Sequence, residues 1–133
     1  MELNSIHNDN RGSINVLVGD LTTVPEVTIF RTKAGYARGG CIHMKSREHL
    51  VVIEGMIEYF HTDQWGGSLK RIFLSGNSIT IQPAIPHYYV SKTDSIVMEW
   101  GPLLEEKKGK HEAFRAIVDA INTAKDAESP NDS

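Results

Sequence analysis

Cys41 and His43 stand two residues apart in an apolar-rich run, residues 37–44, that reads as a β-strand. The two-residue period of a strand sends both side chains to one face. Glu48 opens the next apolar run after a short polar stretch, in position to face back toward them. A thiolate, an imidazole and a carboxylate converging inside a fold make a donor set for a transition metal. That mixed set favours zinc, with iron(II), manganese and nickel as alternatives. Each residue also has a plainer reading. Cys41 serves equally as a small buried hydrophobe, His43 as a satisfied core histidine, and Glu48 as a surface strand residue.

The frame that must position these side chains reads as sheet. Short runs rich in Val, Ile, Phe, Tyr and Thr cover residues 14–18, 26–32, 37–44, 50–54, 56–62, 69–74, 78–81, 87–90 and 95–99. Such residues suit a pleated, half-buried surface. Turn signals separate the runs: Gly19-Asp20, Gly55, Gly66-Gly67, Gly76-Asn77, Pro83 to Pro86 and Thr93-Asp94. Short strands at this spacing predict an antiparallel sandwich or barrel, and no helical run interrupts them as a βαβ fold would require. After Pro102 the pattern changes. Residues 103–110 are charged and read as a linker; Phe114, Ile117, Val118 and Ile121 then form one helical stripe. The spacing predicts a helix over about 111–125, packed on the barrel or on a partner subunit. One domain follows: a barrel over 1–102, linker and helix over 103–126, and a disordered polar tail over 127–133.

Composition limits the function classes. The 133 residues are 40% hydrophobic and 23% charged, ordinary for a globular domain. A net charge of −3 argues against nucleic acid or an anionic membrane as partner. No apolar run approaches the roughly 20 residues that span a bilayer. One cysteine forms no internal disulfide, so a reducing, cytoplasmic location is expected.

The segment Gly35 to Gly55 resembles the first cupin motif: Gly, five residues, His-x-His, four residues, Glu, six residues, Gly. Gly35, Cys41, His43, Glu48 and Gly55 meet every spacing, with Cys41 in place of the first His. Gly76 to His87 resembles the second motif, with Gln82 where the family has Pro, Ala84 where it has Gly, and Ser91 where it has Asn. The resemblance implies an all-β cupin fold, a double-stranded β-helix or jelly-roll barrel, followed here by a C-terminal α-helix. It also implies one divalent metal held by Cys41, His43, Glu48 and His87.

Two narrower resemblances bear on activity. Asp9-Asn10-Arg11-Gly12 is similar to the opening of the deoxysugar-nucleotide epimerases and ketoisomerases, and Arg38-Gly39 sits where those enzymes carry Arg-Gly. Residues 48–55 resemble the cupin domain of capsular polysaccharide enzymes. These imply a nucleotide-sugar substrate isomerised or epimerised by metal-assisted proton transfer. His43, His87 and Tyr89 are the candidate catalytic residues; Arg38 and Tyr36 are the candidate substrate contacts, with Arg38 on a diphosphate. Cys41 occupies the position of the epimerases' general base, so the base must act as a thiolate or be replaced. Two other readings fit the pattern: a non-catalytic binding or regulatory cupin stapled by metal, and an iron-dependent dioxygenase of a small molecule. Alternation from His87 sends Tyr89 and Ser91 inward and Tyr88 outward, and Met98 and Trp100 read as core. An exposed strand edge and an amphipathic helix predict a homodimer.

Overall fold

The computed structural model describes residues 2–21, 24–102, 106 and 108–128. Its strands are β1 (Glu2–Asp9), β2 (Gly12–Leu21), β3 (Val24–Thr32), β4 (Ala37–Gly39), β5 (Cys41–Ile42), β6 (Glu48–Glu54), β7 (Met56–Thr62), β8 (Ser68–Leu74), β9 (Ser78–Ile81), β10 (His87–Ser91), β11 (Ser95–Trp100) and β12 (Gly109–Lys110). One helix follows, α1 (Glu112–Glu128). A six-stranded sheet runs β1-β2-β3-β11-β6-β9, a four-stranded sheet runs β4-β10-β7-β8, and β5 pairs with β12. Every strand pairing is antiparallel. The result is a jelly-roll sandwich whose sheets do not close on each other.

The core lies between the sheets. Leu50, Val52, Ile81 and Val97 from the larger sheet meet Ile57, Tyr59, Phe73 and Tyr89 from the smaller one. Each strand supplies alternate residues to this layer, as the pleat requires. A second cluster sits on the outer face of the small sheet, where Phe114 and Val118 of α1 pack on Ala37 and Tyr88. Of the sequence stripe, Phe114 and Val118 are buried and Ile121 packs beside them, while Ile117 is 39% exposed. Asn122 of α1 accepts from the Ala37 N–H at 2.8 Å and donates to the Ala37 carbonyl at 3.1 Å. The helix thereby satisfies the outer edge of β4 as a neighbouring strand would.

Several elements differ from the sequence reading. β1 falls in a polar stretch read without a strand; its side chains from Asn4 to Asp9 are exposed, so pairing with β2 makes it a strand rather than burial. The run 37–44 breaks into β4 and β5 because Gly39 and Gly40 take φ of +118° and +89°. Gly109 and Lys110, in the expected linker, form β12, and α1 continues through Ala127 and Glu128 into the expected tail. The rest of that tail, 129–133, and positions 103–105 and 107 of the linker lie outside the described residues. No described helix is long and apolar enough to cross a membrane.

Phe114→Ala removes the aromatic that meets Tyr88 edge-on at 4.9 Å between centroids. It is expected to cost about 3 kcal/mol, read as a fall in the urea midpoint. A shift under about 1 kcal/mol would show that α1 is not docked.

Candidate metal centre

Glu48 begins β6 and His87 begins β10, so the two sheets meet in one buried contact: His87 Nε2 lies 3.4 Å from Glu48 Oε2. β11 adds a third candidate ligand. Glu99 Oε1 is 3.8 Å from His87 Nε2, and ligand atoms of Glu48, His87 and Glu99 all lie within 4.8 Å of one another. Glu99 reaches this place through alternation, because Ser95, Val97 and Glu99 share the inward face of β11. Met98 and Trp100 point the other way, and Trp100 stacks on His49 at 5.4 Å. The sequence reading that favoured Met98 and Trp100 followed the wrong parity and passed over Glu99.

The remaining sequence-expected ligands stand nearby. His43 Nε2 is 3.8 Å from Glu48 Oε1, and its buried Nδ1 has no hydrogen-bond partner. Cys41 lines the same cavity as His43, Glu48, His87 and Glu99 but is outside the three-ligand group. It sits on β5, which the Gly39-Gly40 break hands over to β12, with Cys41 opposite Lys110. Residue types therefore shift the donor set from thiolate-bearing toward two carboxylates and an imidazole. Such harder ligands widen the choice toward manganese(II) and iron(II) alongside zinc.

Local bonds fix the ring orientations. His87 Nδ1 lies 3.3 Å from the Ile85 carbonyl, which leaves Nε2 to the carboxylates and to an ion. Gly39 permits this approach: a Cβ there would lie 2.7 Å from Tyr88 Cα and 2.8 Å from the His87 carbonyl oxygen. The turn before His87 is tied to His43 by the Ala84 N–H, which donates to the His43 carbonyl at 2.8 Å. Ala84 takes φ +66° there. That conformation costs an L residue about 1–2 kcal/mol, while glycine would lose about 0.4–1 kcal/mol through the unfolded chain. The strain exceeds that gain, so alanine is held here at a net cost that the structure does not explain.

Burial and pairing set the charges. Burial opposes charge on His87, but hydrogen bonds and attraction from Glu48 and Glu99 outweigh it and raise the pKa to about 10. Glu48 is likewise disfavoured by burial, yet His87 holds its carboxyl below the usual range. Glu99 goes up, because burial and the neighbouring Glu48 charge exceed the help from His87.

The cavity is about 220 Å³, and Arg11, Lys108 and Arg115 also line it. Arg11 arrives at the tip of the β1–β2 hairpin, held by Asp9 at 2.9 Å, and Arg115 arrives on α1, donating to the Gly39 carbonyl at 2.7 Å. Arg38 and Tyr89 line it from β4 and β10. Tyr36, expected as a substrate contact, does not: it is buried and donates its hydroxyl to Asp126 of α1 at 2.7 Å.

No family model and no curated protein matches the sequence. Solved structures do match in shape. The capsular polysaccharide assembling protein CapF from Staphylococcus aureus superposes with a TM-score of 0.70 at 14% identity, over 83% of this chain and 32% of that one. The S161A mutant of Bacillus subtilis oxalate decarboxylase OxdC gives 0.68 at 16%, over 92% and 35%. A domain of Drosophila melanogaster CENP-C gives 0.60 at 12%, over 75% and 72%.

The fold is the cupin fold. This chain spans about a third of the length of CapF and of the decarboxylase. In cupin terms, Glu48 and His87 hold motif positions, and Glu99 is a third donor from outside both motifs.

Metal binding requires unprotonated ligands. The His87 pKa, raised above its unfolded value of 6.5, stabilises the metal-free fold fully below pH 6.5 and stops doing so as pH rises through about 10. At pH 7 each ion taken up must therefore displace the His87 proton. Calorimetry in buffers of different ionisation enthalpy is expected to show at least one proton released per ion; none released would contradict the assignment of His87. Cys41→Ala is expected to keep its metal content, and Glu99→Gln to lose affinity by ten- to a hundredfold, about what a strong loss of ligand support costs.

Proposed function

We propose that this protein is a metal-dependent cupin enzyme that isomerises or epimerises a keto-sugar nucleotide by proton transfer next to a carbonyl. The observation that carries the reading is the division of one cavity. Its inner part holds Glu48, His87 and Glu99, and the cations Arg11, Lys108 and Arg115 line it as well. About 220 Å³ accommodates a sugar ring and little more. The diphosphate then lies outward against those cations, as charge-assisted contacts favour. A divalent ion on the three ligands supplies Lewis acidity toward the ketone oxygen.

The chain's own groups divide the proton work. His87 is occupied by the two carboxylates, which makes it a ligand rather than a base. His43 keeps an unpartnered buried nitrogen on the cavity, and it is the candidate to accept the proton. Burial pushes the Tyr89 phenol well above its ordinary value, so at neutral pH it donates hydrogen bonds and does not act as a base.

The test is solvent-deuterium incorporation beside the carbonyl of nucleotide keto-sugars, followed by NMR on metal-loaded protein. Exchange is expected, and His43→Gln is expected to slow it by at least about a hundredfold with metal content retained. No exchange, together with no thermal shift from nucleoside diphosphates, would leave a non-catalytic metal-stapled cupin as the better reading.

A further inference from the structure

Arg38 is a buried cation with no counter-ion among the described residues. It is 3% exposed, and its bonds go to neutral oxygens: Nε to Thr32 Oγ1 at 2.6 Å and Nη2 to the Arg31 carbonyl at 3.1 Å. The guanidinium carbon lies 5.6 Å from the centre of the Phe30 ring. Asp9 and Glu99 act on it through space, but Asp9 pairs with Arg11 and Glu99 with His87. Among the described residues no carboxylate forms an ion pair with Arg38. Its Nη1 is buried with no hydrogen-bond partner among the described residues. A buried charge without a counter-ion and a buried donor without an acceptor are both strongly unfavourable.

A second orphan stands beside it. Tyr89 on β10 is directly opposite Arg38 on β4, so the two side chains leave the sheet as neighbours on one face. Tyr89 is also 3% exposed, and its hydroxyl, though near Thr32, completes no hydrogen bond. Both residues line the cavity that holds Glu48, His87 and Glu99. One charged and one neutral donor, both dry and both unmatched, share a cavity with a metal-ligand cluster.

We propose that Arg38 Nη1 and the Tyr89 hydroxyl form a subsite for a carboxylate, so that the substrate carries an acid group on the same small skeleton that reaches the metal ligands. A carboxylate fits the place, because its two oxygens can take one bond from Nη1 and one from the hydroxyl. The subsite shares with the proposed reaction only the premise that this cavity is where substrate binds. It narrows the substrate class to keto or hydroxy acids, including sugar acids.

The test is calorimetric titration of the metal-loaded protein with glycolate, with ethylene glycol as the neutral analogue. Glycolate is expected to bind at least about tenfold more tightly. Tyr89→Phe, which keeps the ring, and Arg38→Lys, which keeps the charge, are each expected to weaken glycolate about tenfold with metal content unchanged. Equal binding of glycolate and ethylene glycol, or glycolate affinity untouched in both variants, would overturn the subsite. Failure of nucleotide-sugar exchange with glycolate discrimination intact would remove the proposed reaction and leave the subsite standing.

Discussion

The contact between Glu48 and His87 is the constraint around which the molecule is arranged. It joins the first residue of β6 to the first residue of β10, and so bridges the two sheets at one end of the sandwich. Two ionised groups in a dry place are stable only when each holds the other and further bonds satisfy what remains. The surroundings meet that demand: Ile85 receives the far side of the imidazole, His43 approaches the other oxygen of Glu48, and Tyr59 stacks 5.9 Å from the His87 ring. The apolar layer of Leu50, Tyr59, Ile81 and Val97 excludes water from the core beside the pair.

Glu99 adds a second carboxylate to this pair. Burial and the Glu48 charge push its pKa up, while His87 holds Glu48 below its usual range. A divalent cation held here would offset carboxylate charge that the low-dielectric interior disfavours.

How much of this was legible in the sequence follows from how local each cause is. The strands and turns from Ile14 to Trp100 could be read because β-branched runs and Gly or Pro signals act over a few residues. The cupin spacings placed Glu48 and His87 for the same reason. β1 was silent, since Glu2 to Asp9 has no apolar alternation and depends on its partner β2. Glu99 was hidden by a parity choice at the end of β11, although Val97 two residues earlier carried the signal. Tyr36 was misjudged because its partner, Asp126, is 90 positions away. Cys41 met the motif spacing, but two glycines in left-handed backbone moved its strand to β12.

The helix completes the cavity wall from outside the sandwich. Arg115 bonds to the Gly39 carbonyl, a Cβ on Gly40 would press against the Arg115 backbone at 3.0 Å, and α1 is encoded after every strand of both sheets. The Glu48–His87 contact uses no residue of α1, so displacement of the helix would withdraw Arg115 from the cavity and leave that buried pair in place.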